Sequence, residues 1–263
     1  MQATFYPVAY FAERIGGERV LVRCPVPEGD DPAGWSPDAA TLADMQDADL
    51  ILANGAGFEA WIPKVSLPPS RLVETAASFR AEWIEQSGGA VHSHGKGGMH
   101  SHEGFDGHTW LDPVNAKRQA RAVLDALATR LPAHKSEMEA RYDALAKDLD
   151  AIDAAFRALP PLPPMIASHA AYDYLARRYG WKIESLDLDP DEAPTEDQVA
   201  AILAMAKASG ASHLLWESPP LAATVERLMP LASVVVSPVE SRPEEGDYLA
   251  AMRANVARLN VLR

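Results

Sequence analysis

Cysteine is almost absent from this chain of 263 residues, in which Cys24 stands alone. A single cysteine forms no intramolecular disulfide, so a disulfide framework is excluded. A zinc cluster built from several thiolates is excluded for the same reason. Any metal site in this chain must therefore draw its ligands from histidine and carboxylate side chains.

Basic residues and long apolar runs are also scarce. The chain has 24 Lys and Arg against 37 Asp and Glu, which gives a formal net charge of −13. A general nucleic-acid binder needs a basic surface and is excluded. No apolar run approaches the ~18 residues of a membrane span, so we expect no direct membrane insertion. Hydrophobic residues nevertheless make up 48% of the chain, enough for a sizeable core.

Short apolar runs alternate with longer stretches of helical period, which is typical of parallel sheets with crossover helices. The predicted strands lie at residues 50–52, 71–73, 165–167, 213–216 and 234–236. Helix starts are indicated by Ser36-Pro37, by Asp112-Pro113, and by a capping box of Thr195 and Gln198. These signals predict an α/β fold.

One long helix interrupts this alternation. From Met138 to Phe156 apolar residues recur at steps of four and three, with charged residues between them, and the prolines of residues 160–164 end the pattern. We therefore predict two α/β lobes with parallel-type sheets, at residues 1–133 and 160–263, bridged by a spanning helix at residues 134–159.

Histidine is concentrated in residues 91–102, which are diluted with glycine and serine and lack an apolar period. The pattern predicts a mobile loop that is neither strand nor helix packed on a core. Neutral imidazoles on a flexible loop bind zinc, copper or nickel, so we expect an accessory, low-affinity metal-collecting loop. A solvated loop without metal is the alternative. The histidines in question are His92, His94, His100 and His102.

Two further histidines occupy equivalent places in the two predicted lobes. His108 stands shortly before the helix that begins at Asp112-Pro113, and His169 follows the strand at residues 165–167. Ligands in open α/β folds bind at the carboxyl edge of the strands. A lone histidine is more often a surface or core residue, but two histidines at equivalent places in two lobes are stronger candidates for metal ligands than either one alone.

A series of short motifs follows in order along nearly the whole chain. They are Phe5-Tyr6-Pro7, Ile15-Gly16-Gly17, Val26-Pro27, Asp31-Pro32, residues 48–50, 54–61 and 108–113, Ser168-His169, and residues 174–180, 246–248 and 252–255. In their order and spacing these motifs resemble the zinc and manganese substrate-binding proteins of bacterial metal ABC transporters. The resemblance implies a metal held in the inter-lobe cleft, an ABC transporter permease as partner, and a periplasmic or lipid-anchored location with the leader trimmed.

The resemblance also implies four metal ligands, of which this chain matches two, His108 and His169. The family's first ligand is a histidine after Asp-Pro, where this chain has Ala33. Its fourth is an aspartate before a proline, where this chain has Ser237. Zinc prefers four ligands, so other groups must complete the site. Glu217, at the end of a strand beside His169, is preferred to Glu240. Water, or a loop histidine such as His94 or His102, is expected in place of Ala33.

These observations predict a monomeric binding protein that captures a divalent transition metal and delivers it to a transporter without catalysing a reaction. Zn²⁺ is favoured over Mn²⁺ because the donors are rich in nitrogen, although Cu²⁺ binds such donors more tightly. One alternative is a metal chaperone, or degenerate family member, without a transport role. Another is a metal-dependent hydrolase in which zinc activates water.

Overall fold

The computed structural model describes residues 1–27, 29–86, 92–93, 99–100 and 104–262. Its first lobe is built on a parallel sheet of β1 (Gln2–Ala3), β2 (Ile51–Ala53) and β3 (Leu72–Glu74), in that order. The helices of this lobe are α1 (Tyr6–Gly16), α2 (Ala39–Asp47) and α3 (Pro113–Arg130). Apolar residues fill β2 on both faces, as expected of a central parallel strand.

Helix α3 begins as predicted and α2 does not. Asp112 caps α3, since its Oδ1 accepts the N–H of Val114 at 2.9 Å. The predicted start of α2 at Ser36-Pro37 is wrong by two residues. Asp38 is the cap, because its carboxylate accepts the N–H of Thr41 at 2.8 Å.

Four short strands lie in the segment that contains the histidine-rich stretch. β4 (Glu85–Gln86) pairs with β7 (Gly104–Phe105), and β5 (His92–Ser93) pairs with β6 (Met99–His100), both antiparallel. β5 and β6 are two-residue strands, and such local pairing needs no apolar period. The prediction that this stretch is not packed on a core stays a prediction. The register places His92 opposite His100. His94 and His102 lie outside the described residues.

Helix α4 (Lys135–Arg157) connects the two lobes. It buries the predicted apolar stripe from Met138 to Phe156 and packs against α1 and α3 of the first lobe. On the second lobe it packs against the last helix, Tyr248–Leu259. As a result, one continuous hydrophobic core runs from β1 through α4 into the second lobe. The residue boundaries of the lobes themselves stay a prediction.

The second lobe is a parallel four-stranded sheet with strand order β11-β10-β8-β9. Its strands are β8 (Met165–Ala167), β9 (Ile183–Ser185), β10 (His213–Trp216) and β11 (Ala232–Val235). Its helices are α5 (Asp173–Tyr179), α6 (Glu196–Ser209), α7 (Ala222–Arg227) and α8 (Tyr248–Leu259). The capping box of Thr195 and Gln198 opens α6 as predicted. The α/β class with parallel sheets is confirmed.

Several contacts tie the lobes together around the cleft. Arg178 of α5 forms an ion pair with Asp112, the buried cap of α3. The hydroxyl of Tyr174 donates to the carbonyl of Asp106 at 3.1 Å. Within the described residues, no helix combines the length and the apolar character that crossing a bilayer requires.

Candidate metal centre

The two predicted histidines meet at the cleft between the lobes. His108 precedes a single 3-10 turn ahead of α3, and His169 follows β8 by two residues. Their Nε2 atoms lie 3.3 Å apart, and both side chains are buried. Two nitrogens bound at ~2.0–2.1 Å to one tetrahedral zinc ion lie about 3.3–3.4 Å apart. The imidazoles therefore already have the spacing of two ligands of one ion.

Glu240 is the third member of this cluster. Its Oε1 lies 3.0 Å from Nε2 of His108, and the donor atoms of His108, His169 and Glu240 all lie within 4.8 Å of one another. Val239 has a φ of 58°, an unusual conformation for a buried β-branched residue. Its N–H donates to the hydroxyl of Ser237 at 3.1 Å. This strained turn brings Glu240 to the first lobe's histidine.

Asp106 contacts Nδ1 of His108, the ring nitrogen that does not contact His169 or Glu240. The sequence did not identify Asp106 as part of the site. Its Oδ1 lies 2.7 Å from Nδ1 of His108 and accepts the backbone N–H of the same residue at 2.8 Å. A carboxylate on Nδ1 fixes the ring orientation and leaves Nε2 to face a metal. Burial lowers the pKa of His108, but the charge and hydrogen bond of Asp106, followed by those of Glu240, raise it to about 10. Metal binding must therefore displace a proton.

Replacing Asp106 by asparagine is expected to weaken zinc binding by about 10–100-fold, the usual effect of removing the carboxylate behind a metal-binding imidazole. Competition with a chelating dye at fixed pH measures this change. Asp173→Asn is the matched control, because it removes a second largely buried carboxyl group that interacts with Asp106. Burial, and then the charge of Asp106, raise the pKa of Asp173 to about 6. An equal loss of affinity in both variants contradicts a specific role for Asp106.

A buried polar network holds the two residues that flank His108. The amide of Asn54 donates to the carbonyl of Gly107 at 2.8 Å, and Thr109 Oγ1 donates to Asn54 Oδ1 at 2.8 Å. Glu59 in turn accepts the N–H of Asn54 at 2.7 Å. Asn54 and Glu59 belong to the motif at residues 54–61, which was the one sequence signal for this network.

Glu217 lines the same cleft without joining the cluster. It follows β10 and borders a cavity of about 400 Å³ together with His169 and Glu240. Burial, and then the charge of Glu240, raise the pKa of Glu217 to about 8. Of the two predicted acids, Glu240 belongs to the group of candidate ligands found among the described residues. The tight turn at Val239 was not evident from the sequence.

The stability of the metal-free protein is expected to fall with rising pH because of Glu217. Its pKa is raised above the ordinary value of 4.5 to about 8, so the folded protein binds this proton more tightly than the unfolded chain does. The contribution is fully present below about pH 4.5 and is lost as the pH rises through about 8. Thermal unfolding with excess chelator between these limits measures the slope. Glu217→Gln should flatten it, and an unchanged slope contradicts this origin.

The positions where the family carries its other two ligands are occupied differently. Ala33 is half-buried and packs against the main core. Ser237 uses its hydroxyl to accept the N–H of Val239 and its carbonyl to accept the side-chain amide of Asn255. Neither residue offers a strong metal donor. The described side chains of the cluster are therefore His108, His169 and Glu240.

Two α/β lobes that enclose a cluster of side chains able to hold a metal ion have the architecture of a two-lobe solute-binding protein. The chain belongs to the ZnuA family, described as zinc-uptake complex component A, periplasmic, whose model matches residues 2–261. This membership confirms the resemblance found in the sequence.

Curated relatives carry related descriptions. The zinc-binding lipoprotein AdcA of Streptococcus pneumoniae is 29% identical over 97% of this chain and 54% of its own length. The high-affinity zinc uptake system protein ZnuA of Bacillus subtilis is 27% identical over 81% of this chain and 69% of its own length. The chain thus spans about half the length of AdcA.

Solved structures support the fold. The metal-dependent lipoprotein YcdH of Bacillus subtilis superposes with a TM-score of 0.84 at 22% identity, covering 98% of this chain and 97% of that one. The Zn(II)-bound ZnuA-like domain of Streptococcus pneumoniae AdcA gives a TM-score of 0.82 at 24% identity, with 98% of each chain covered. Both likenesses establish the two-lobe architecture.

Proposed function

We propose that this protein captures a divalent transition-metal ion in the inter-lobe cleft and delivers it to an ABC transporter permease. The observation that carries the proposal is the 3.3 Å separation of the Nε2 atoms of His108 and His169. Glu240 supplies an oxygen donor beside them. Ligands from both lobes make a bound ion part of the contact between the lobes.

Zn²⁺ is the proposed substrate. Imidazole and carboxylate donors with tetrahedral spacing suit zinc, and AdcA and ZnuA among the relatives are named for zinc. Mn²⁺ is the second candidate, because a further relative, from Halalkalibacterium halodurans, is named manganese-binding lipoprotein MntA. Cu²⁺ binds imidazole tightly on raw affinity, so supply and geometry decide the ion carried.

We expect the protein to bind its metal ion without catalysing a reaction and to act on the extracytoplasmic side of a membrane. This role and location agree best with the family. Its description as a component of an uptake complex supports transport over the metal-chaperone and hydrolase alternatives. We propose a periplasmic location and a monomer that docks on its permease. Ester hydrolysis by the zinc-loaded protein is the observation that would favour the hydrolase.

Metal analysis tests the proposed function. Protein stripped with chelator and then dialysed against equimolar Zn²⁺ and Mn²⁺ should retain one tightly bound zinc ion per chain. Anomalous scattering at the zinc edge should locate that ion between His108 and His169. A stripped protein that rebinds neither ion, or an ion located away from the cleft, contradicts the proposal.

The histidine-rich stretch is expected to add weak sites only. Deleting residues 92–102 should lower the number of weakly bound zinc ions and leave the tightest site within about threefold of its affinity, because ordering a glycine-rich segment around an ion costs conformational entropy. Calorimetric titration separates the two classes of site. Loss of the tight site on deletion would show that His94 or His102 is a primary ligand, as the sequence analysis allowed.

A further inference from the structure

The carboxylate of Asp106 depends on its own backbone for its position. Its Oδ1 contacts Nδ1 and the backbone N–H of His108. Its Oδ2 is also buried, and the part of the chain that the structure describes offers this atom no hydrogen-bond partner. The carboxylate is therefore held by His108 itself and by the backbone of residue 106. Whatever fixes that backbone also fixes the orientation of the imidazole.

The backbone of Asp106 lies at the end of the short antiparallel ladder of β4 and β7. The ladder pairs Glu85 with Phe105, so Ile84 and Asp106 form the next pair in register. One bond of this pair is direct, because the N–H of Asp106 donates to the carbonyl of Ile84 at 2.8 Å. In a hydrogen-bonded antiparallel pair the two residues normally exchange a second bond in the opposite direction. Here a side chain of the second lobe takes the place of that second bond.

This side chain is Tyr174 of α5, which is fully buried. The N–H of Ile84 donates to the hydroxyl of Tyr174 at 3.2 Å, and the same hydroxyl donates to the carbonyl of Asp106 at 3.1 Å. A phenol accepts one hydrogen bond while it donates another. The hydroxyl of a second-lobe residue is therefore inserted between two paired segments of the first lobe. Its removal leaves the carbonyl of Asp106 without this donor.

Helix α5 holds the same part of the first lobe at a second point. Arg177, one turn beyond Tyr174, donates from its guanidinium to the carbonyl of Glu82 at 2.8 Å. Helix α5 also follows β8 and His169 directly in the chain. One segment of the second lobe thus carries the second-lobe histidine and grips the backbone that supports the first-lobe histidine.

We propose that Tyr174 is a positioning residue for metal binding, which acts from the second lobe, through Asp106, on the imidazole of His108. The inserted hydroxyl fixes the backbone of Asp106, and the carboxylate then holds Nδ1 so that Nε2 faces the cleft. The orientation of the first-lobe imidazole therefore depends on the position of α5 in the second lobe. This inference rests on the proposed function and adds to it a residue outside the cluster of donors.

The test compares Tyr174→Phe with Tyr179→Phe, which removes a hydroxyl from the same helix. The hydroxyl of Tyr179 donates to Asp153 of α4 at 3.0 Å. Competition with a chelating dye measures zinc affinity, which is referred to the folded fraction given by circular dichroism. Tyr174→Phe is expected to weaken binding by about 10-fold, the lower end of the range for groups that act behind a ligand. Tyr179→Phe is expected to bind zinc as the unsubstituted protein does.

A double-mutant cycle shows whether Tyr174 acts through Asp106. Asp106→Ala leaves no carboxylate to position. In that background Tyr174→Phe should weaken zinc binding further by less than about twofold, because the effects of residues in contact are not additive. A role of Tyr174 in general stability is independent of the carboxylate, so the two losses of affinity would then multiply. Losses that multiply overturn the proposal.

Co²⁺ in place of Zn²⁺ gives a readout that a merely structural role does not move, because its visible absorption reports the geometry of the ligands. The spectrum should change in Tyr174→Phe and stay unchanged in Tyr179→Phe. An unchanged zinc affinity or an unchanged cobalt spectrum in Tyr174→Phe overturns the role of Tyr174. If the unsubstituted protein binds zinc through His108 and His169 in that case, the proposed function stands. A chain that binds no zinc overturns both.

Discussion

Replacing His169 by alanine is expected to weaken zinc binding by more than about 100-fold, beyond the range that outer groups produce. The imidazole of His169 is buried, and its Nε2 lies 3.3 Å from Nε2 of His108. Its loss removes the one nitrogen donor that the described second lobe contributes to the cluster. The remaining donors leave an open coordination position, which zinc fills with water at a cost in affinity.

His108→Ala should cause a loss at least as large. This residue joins three parts of the site, since it contacts His169, Glu240 and the supporting Asp106. Without the imidazole, Oδ1 of the buried Asp106 loses its contact with Nδ1 of His108. Part of the loss will therefore appear as lower stability of the folded protein. Circular dichroism of the stripped variant separates this effect from lost coordination.

His213→Ala is the matched control for both variants. His213 is also a buried histidine of the second lobe, but it begins β10 and lies at the end of the sheet opposite the cleft. Its Nδ1 contacts the hydroxyl of Ser212 at 2.8 Å. Competition with a chelating dye should give this variant the affinity of the unsubstituted protein. Unchanged affinity in both His108→Ala and His169→Ala rules out the inter-lobe site.

The largest expected effect on stability belongs to Trp110. Its indole is fully buried, with ring centroids 4.6 Å from Phe5 and 4.9 Å from Phe58. Its Nε1 donates to the carbonyl of Pro238 at 2.7 Å, so the residue also ties the first lobe to the turn that carries Glu240. Trp110→Ala is expected to lower the free energy of unfolding by about 3–5 kcal/mol, the usual cost of emptying such a site.

Trp110→Phe distinguishes packing from the hydrogen bond. Phenylalanine keeps an aromatic ring in the core but leaves the carbonyl of Pro238 without its donor, at a cost of about 1–3 kcal/mol. Urea unfolding of the metal-free protein measures both variants. A loss of less than about 1 kcal/mol in Trp110→Ala, the typical effect of an average substitution, contradicts the packing described here.

The metal site could be predicted in part from the sequence. His108 and His169 were identified because a histidine near a strand's carboxyl end lies at the edge where α/β proteins bind ligands. Asp106 was missed because its contact with His108 depends on the turn through Gly107. Glu240 ranked below Glu217 because the left-handed conformation of Val239 has no local sequence signal, as glycine is the residue normally expected there.

The sequence by itself determined the α/β class, the long helix α4 and the caps at Asp112 and Thr195. These features depend on periodicity and on side chain to backbone contacts within a few residues. The tertiary structure alone showed that Asp106 and Glu240 contact the predicted His108. His108 and Glu240 are 132 residues apart in the chain and His108 and His169 are 61 apart. Their contact depends on how both lobes pack on α4, which periodicity and local contacts do not specify.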